Sequence, residues 1–76
     1  MVLSELKVNQ YAILLSIFYP NQKVKRRLLE MGMVPGTVVK VTKMAPLKDP
    51  IAISLRGYEL CVNRREASYI SVEVKK

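Results

Sequence analysis

The sequence has 76 residues, half of them hydrophobic, and a formal net charge of +7. This length predicts a single domain, residues 1–76, whose small core needs nearly all of its secondary structure, and the hydrophobic share argues against a disordered chain. The excess of 13 Lys and Arg over 6 Asp and Glu indicates either a solvated surface or an acidic partner: nucleic acid, an anionic membrane surface or an acidic protein face.

Residue types that support catalysis or bind metal ions are scarce. The chain has no histidine, and Cys61 is its only cysteine, so the commonest general base and the usual zinc ligand sets are missing. The carboxylates stand singly along the chain, and no glycine-rich phosphate motif occurs. We therefore predict a protein that is not an enzyme, with no catalytic residue, no metal site and no cofactor.

The sequence also predicts a compartment. Its first residues lack the basic and apolar regions of a signal peptide. Its longest apolar stretch, Tyr11–Leu15, is far shorter than the roughly 20 residues that span a bilayer. A secreted domain of this size usually needs a disulfide, which one cysteine cannot form within the chain. We expect a cytoplasmic protein.

The first long element is a predicted strand over residues 11–18, which are rich in aromatic and branched aliphatic types. Strict alternation places on one face Tyr11, Ile13, Leu15 and Ile17. Leu14 and Phe18 then fall on the other face. The strand is therefore either bulged or packed on both faces, or it presents Leu14 and Phe18 as an apolar patch for a partner.

A short helix is predicted next, from the Pro20-Asn21 pair to Gly32. The side chain of Asn21 suits the N-cap, and Gly32 suits the left-handed position that ends a helix. The spacing i, i+4 and i+7 predicts an apolar stripe of Val24, Leu28 and Met31.

The polar face of this helix is strongly basic. Its cations are Lys23, Lys25, Arg26 and Arg27, and Glu30 is its one acid. A cation in the first turn is unfavourable for the helix dipole, so helix stability does not account for this arrangement. The face is either simply solvated or a docking surface for an acidic partner.

Three further strands are predicted after a turn at Pro35-Gly36. Their expected inward residues are Val39 and Val41, then Ile51, Ile53 and Leu55, then Tyr58, Leu60 and Val62. A loop bounded by Pro46 and Pro50 separates the first two strands, and Gly57 allows a sharp bend between the last two. One helical turn at Arg64–Ser68 and a closing strand complete the chain.

These elements predict a mainly β fold: a small barrel of about five strands, with a short helix after the first strand and one helical turn before the last. Closure would remove the exposed strand edges. Single-strand nucleic-acid binders interleave cations with aromatic platforms, but alternation turns Tyr58 inward and leaves Tyr69 as the exposed strand aromatic after the helix. Nucleic acid is therefore not the favoured partner.

A set of motifs resembles the FeoA family over nearly the whole chain. The residues that carry the resemblance are Arg27-Leu28, Met31-Gly32-Met33, Pro35-Gly36, Ala45-Pro46, Asp49-Pro50, Arg56-Gly57-Tyr58, Leu60, Arg65, Ala67 and Ile70. The chain departs from the family pattern in having no glycine near Asn9-Gln10 and a cysteine, Cys61, where a small aliphatic residue is usual.

The resemblance implies an SH3-like barrel and an accessory role in ferrous iron uptake, through the cytoplasmic part of the transporter FeoB. The chain would then approach the membrane only through the transporter. Whether it also forms a weak homo-oligomer is left open. The residues expected to contact an acidic partner face are Lys23, Lys25, Arg26, Arg27, Lys48, Arg56, Arg64, Arg65 and Phe18. The alternatives are a basic SH3-like nucleic-acid-binding module and a relative of the C-terminal domain of DtxR-type metal-responsive repressors.

Overall fold

The computed structural model describes residues 1–18 and 20–75, with the side chain of Lys48 outside the description. The five strands are β1 Tyr11–Ile17, β2 Val38–Met44, β3 Ile51–Leu55, β4 Tyr58–Val62 and β5 Ile70–Lys75. The two α-helices are α1 Gln22–Glu30 and α2 Arg64–Ala67, and two 3₁₀ turns occupy Leu3–Glu5 and Pro46–Lys48. The predicted element order is confirmed: a helix follows the first strand and a helical turn precedes the last.

All five strands belong to one antiparallel sheet in the order β4-β3-β2-β1-β5. In the parts of the chain that the structure describes, β4 and β5 form no ladder with each other, so hydrogen bonding closes the predicted barrel only in part. The N-terminal residues cover the β5 edge, where Val2 bridges Ser71 and the Val72 amide donates to the Met1 carbonyl over 2.9 Å.

A bulge in β1 decides which of its side chains are buried. The register with β5 shifts between Leu14 and Ser16, which leaves Leu15 as the extra residue. Ala12 and Leu14 are inward before the shift and Ile17 after it, because one extra residue reverses the alternation. The bulge is confirmed, but the assignment of the β1 side chains to faces by strict alternation is wrong. Leu14 is fully buried and belongs to no surface patch.

The core lies between the sheet and the short helices. Its largest fully buried side chains are Leu3, Leu6, Leu14, Leu28, Met33, Ile51, Ile53, Leu55 and Ile70. Helix α1 contributes Leu28 to this core, and its partly buried Val24 and Leu29 pack against the core. The prediction that Met31 completes the stripe is wrong: α1 ends at Glu30, and Met31 caps it as an exposed residue.

Both predicted helix ends are confirmed. The Asn21 side-chain oxygen accepts hydrogen bonds from the amides of Lys23 at 2.9 Å and Val24 at 3.4 Å, which satisfies two of the free amides of the first turn. At the other end, Gly32 has φ +96, a left-handed conformation that a residue with a Cβ adopts only under strain.

A two-residue turn joins β3 to β4. Arg56 and Gly57 have φ values of 47 and 84, and this pair of positive values is typical of a type I′ hairpin turn. Tyr58 follows directly and lies opposite the buried Leu55, on the predicted inward face, but it is 43% exposed because β4 is at the edge of the sheet. Tyr69 is half-buried rather than exposed. The aromatic residues exposed in the described part of the chain are Tyr11, Phe18 and Tyr58.

Candidate partner-binding surface

The exposed face of α1 forms a shallow depression lined by side chains of this one helix. These residues are Gln22, Lys23, Arg26, Arg27 and Glu30. Lys25 lies at the side of the helix and is half-buried. Lys23 and Arg26 are exposed, and no ion pair to either occurs among the described residues. Their positive charges are therefore available to a partner.

Arg27 differs from the other helix cations. Its Nη2 donates to Glu66 Oε2 over 2.6 Å and forms an ion pair between α1 and α2. The Glu66 side chain is only 8% exposed, whereas that of Arg27 is 57% exposed. Arg27 therefore supports the fold by giving an almost buried carboxylate its counter-charge, and only part of its guanidinium faces solvent.

The sequence prediction missed the role of Glu66. Asn63 is the N-cap of α2: its side-chain oxygen accepts from the Glu66 amide over 2.7 Å, and Glu66 Oε1 accepts from the Asn63 amide over 3.1 Å. This reciprocal pair is a capping box. The local pattern Asn-x-x-Glu at Asn63–Glu66 is its signal in the sequence.

Three other predicted cations lie on elements that contact α1 or the residue that ends it. Arg64 and Arg65 are exposed on α2, and Arg65 immediately precedes Glu66, the ion-pair partner of α1. Arg56 reaches the opposite end of the helix, where its Cδ lies 3.5 Å from the position that a Cβ on Gly32 would occupy. We call this set the basic surface: Lys23, Lys25, Arg26, Arg56, Arg64 and Arg65.

The two remaining predicted contact residues have different outcomes. Phe18 lies in the segment between β1 and α1 and is 71% exposed, although its amide donates to the Tyr69 carbonyl over 2.8 Å. Its ring is available to a partner while its backbone is fixed. Lys48 lies in the second 3₁₀ turn, but its side chain falls outside the described residues.

No group of three or more His, Cys, Asp or Glu residues comes together as a metal site among residues 1–18 and 20–75. In the same residues, no helix is both long enough and apolar enough to cross a membrane.

The five-stranded antiparallel sheet and the inserted helix define a small SH3-like domain. The family model of the FeoA domain matches residues 1–74. This chain belongs to the FeoA family.

Similar proteins support this assignment. Over 74 residues the chain is 34% identical to the Fe(2+) transport protein A/Fe(2+) transporter FeoB fusion protein of Porphyromonas gingivalis, covering 97% of this chain but only 9% of that protein. The structure of FeoA from Chlorobium tepidum aligns with a TM-score of 0.93 and 39% identity, over 100% of this chain and 71% of that one. FeoA of Stenotrophomonas maltophilia, solved in complex with zinc and described as an SH3 domain protein, aligns with a TM-score of 0.84 and 28% identity, over 96% of this chain and 89% of that one.

Metal-dependent repressors share the fold. IdeR of T. acidophilum aligns with a TM-score of 0.85 over 99% of this chain and 34% of that one, at 21% identity. At this identity the likeness concerns the fold alone. It implies nothing about regulation by this chain.

Proposed function

We propose that this chain is a non-enzymatic accessory domain of ferrous iron uptake, which binds the cytoplasmic part of FeoB and supports or regulates the transporter. The observation that carries the proposal is the fusion of a related FeoA segment to FeoB in one polypeptide. Two domains joined by a short linker meet at about millimolar effective concentration, which promotes contact between them. A separate chain needs a complementary surface to achieve the same association.

The basic surface supplies the complementarity. It includes cations of α1 and of elements that contact α1, all but Lys25 exposed, in a chain of net charge +7, so an acidic face on the partner would steer association through long-range attraction. Phe18 adds an exposed aromatic ring beside the start of α1, and the proposed contact set also includes Lys48 and the solvent-facing part of Arg27. The domain, proposed to comprise residues 1–76, would reach the membrane only through the transporter.

The absence of an activity of its own follows from the residues available. Without histidine, and with the described carboxylates dispersed, the chain offers no pair of groups that would transfer a proton or activate a nucleophile. We expect turnover of GTP, ATP and phosphoesters by the purified protein to stay at background. Turnover that co-purifies with the protein and disappears with a point substitution would contradict this part of the proposal.

The zinc in the Stenotrophomonas maltophilia structure does not transfer to this chain. Zinc prefers nitrogen and sulfur ligands in tetrahedral sets, and this sequence has no histidine and the single thiol of Cys61. The described residues contain no cluster that would complete a set around Cys61. The residues present therefore do not fit a resident zinc ion.

The test is a binding experiment with the purified cytoplasmic region of FeoB at physiological salt, in the presence and absence of an RNA competitor. We expect saturable binding that RNA does not displace. A nucleic-acid module would instead bind the RNA itself, with affinity falling by roughly 0.7–0.9 log units per phosphate contact for each log unit of salt. The exposed aromatics Tyr11 and Tyr58 are separated by β2 and β3 in the sheet, so they do not form a continuous stacking platform.

A further inference from the structure

The two edges of the sheet differ in how they are covered. The outer edge of β5 pairs with the N-terminal residues through the Val2–Ser71 bridge and the bond from Val72 to Met1. Strand β4 pairs with β3 on one side, and among residues 1–18 and 20–75 no backbone group pairs with its other side. An uncovered edge of this kind is a template for another strand.

The register identifies the backbone groups at this edge. The two-residue turn makes Leu55 and Tyr58 a hydrogen-bonded pair, and such pairs alternate along an antiparallel ladder. Tyr58, Leu60 and Val62 therefore bond to β3. The amide and carbonyl groups of Glu59 and Cys61 point away from β3 to the open edge. Their spacing matches the hydrogen-bonding period of an incoming strand.

Natural edge strands are often protected by a charged side chain, a proline or a bulge. Strand β4 contains no proline, and its register with β3 runs without a shift from Ile51–Val62 to Leu55–Tyr58. Its one charge, Glu59, is held over the sheet by a hydrogen bond of 2.9 Å from the Thr42 hydroxyl on β2. None of these three devices protects the edge.

From these observations we infer that the β4 edge binds an extended segment of the partner, which adds a sixth strand to the sheet. This mode uses main-chain hydrogen bonds for affinity and side chains for specificity. The cations of the basic surface stand beyond both ends of the strand: Arg56 two residues before it, Arg64 and Arg65 just after it. They select a segment with acidic residues near both ends. The inference rests on the proposed function, because the partner is the cytoplasmic part of FeoB.

Two symmetric pairings of a second copy at this edge are disfavoured by charge. The symmetric pairing that uses the whole of β4 places Leu60 opposite its own counterpart and Arg56 opposite the copy's Arg64. A shift that puts Glu59 opposite its own counterpart also brings like charges together. Like charges placed directly opposite one another destabilise a strand pair. Compared with these two pairings, charge complementarity favours an acidic-ended segment.

Amide hydrogen exchange tests the inference directly. In the free protein, the amides of Glu59 and Cys61 should exchange fast, while those of Tyr58, Leu60 and Val62 are protected by β3. Saturation with the purified cytoplasmic region of FeoB should slow exchange at Glu59 and Cys61 by about tenfold or more, because both amides become hydrogen-bonded. A partner that only contacts the helix face would leave both rates unchanged.

A matched pair of variants isolates the backbone contribution. Cys61→Pro removes an amide that β3 does not use, and proline is accepted at such positions of edge strands. Cys61→Ser changes the same side chain but keeps the amide. We expect Cys61→Pro to weaken binding of the FeoB region about tenfold and Cys61→Ser to leave it unchanged. Thermal unfolding of both variants confirms that the fold is intact.

Each outcome bears on the inference. If the FeoB region binds while Glu59 and Cys61 still exchange fast, the strand-addition inference is overturned and the proposed function stands. Failure of the FeoB region to bind at all overturns both. Protection of the same amides that rises with protein concentration in the absence of FeoB would assign the edge to a second copy and also overturn the inference.

Discussion

Arg27 on α1 and Glu66 on α2 meet in an ion pair of 2.6 Å that joins the two helices across 39 positions of sequence. Glu66 is the more buried partner, and it also closes the capping box of α2 by accepting from the Asn63 amide. The same carboxylate therefore stabilises the start of one helix and attaches the other. This places Arg27 among the residues that maintain the fold as well as beside the basic surface.

The first prediction follows from this double role. Glu66→Ala removes the cap acceptor and the counter-charge of Arg27, so the free energy of unfolding should fall by about 1–3 kcal/mol. Urea unfolding provides the measurement. Glu30→Ala, which removes an exposed carboxylate of α1, is the matched control and should stay within about 0.5 kcal/mol of the wild type. Equal losses in the two variants would show that Glu66 has no special role.

The second prediction concerns the end of α1. Gly32→Ala introduces a Cβ at φ +96, which alone costs roughly 1–2 kcal/mol, and this Cβ would stand 3.2 Å from the Tyr58 hydroxyl. Gly36→Ala has a similar φ of +91 with nothing within 4 Å, so it measures the backbone strain by itself. We expect the larger loss of stability at Gly32, and we expect Tyr58→Phe to recover part of the difference in the Gly32→Ala background. Equal losses at the two glycines would mean that the Tyr58 contact relaxes without cost.

The helix ends were predictable from sequence because their signals are local. Asn21 caps α1 through its own side chain, and Gly32 supplies the left-handed residue that stops it. Neither depends on what the rest of the chain does. The inward residues of β2 and β3 were predictable for a similar reason, since period two is imposed by the strand itself.

The errors of the sequence prediction arise where contacts between distant segments determine which side chains are buried. The bulge at Leu15 depends on how β1 pairs with β5, and it reverses which side chains reach the core. Tyr58 is exposed because its strand lies at the edge of the sheet. The basic character of α1 was visible in the sequence, but the attachment of Arg27 to Glu66 was not. The open edge of β4 follows from sheet order and from no local residue pattern.

A third prediction concerns metal. Because the described carboxylates and the Cys61 thiol do not converge, ferrous iron and zinc should bind no more tightly than to an isolated surface carboxylate. Folding then needs no metal, and treatment with a chelator should leave the thermal midpoint unchanged. Cys61→Ser should likewise leave metal affinity unchanged. A midpoint that falls on chelation and is restored by added zinc would reveal a site formed between two chains.

The fourth prediction tests the basic surface by charge. Lys23→Glu combined with Arg26→Glu should slow association with the cytoplasmic region of FeoB and reduce its salt dependence, because exposed charges mainly steer encounter. Stopped-flow association at several salt concentrations measures both effects. Arg27 is left unchanged, since reversing it would place a second carboxylate beside Glu66. Folding should change by no more than about 0.5 kcal/mol.

The control for this charge reversal changes the net charge by the same amount at positions away from α1. Lys7 and Lys75 are exposed near the start of β1, whereas α1 follows the other end of that strand, which is about 20 Å long. Lys7→Glu combined with Lys75→Glu should slow association much less. If the two double variants behave alike, net charge steers the encounter and the basic surface has no particular part in it.

The last prediction concerns the apolar part of the contact. Phe18→Ala removes a ring that is 71% exposed, so it should leave folding within about 0.5 kcal/mol of the wild type. It should accelerate dissociation from the FeoB region without changing the salt dependence, since truncating an interface aromatic acts mainly on dissociation. Leu14→Ala provides the contrast: Leu14 is fully buried, and its truncation should destabilise the fold by about 2–5 kcal/mol. If Phe18→Ala abolishes binding while the reversal of Lys23 and Arg26 leaves it intact, the contact is apolar and the electrostatic account is wrong. If Phe18→Ala binds as tightly as the wild type, Phe18 lies outside the interface.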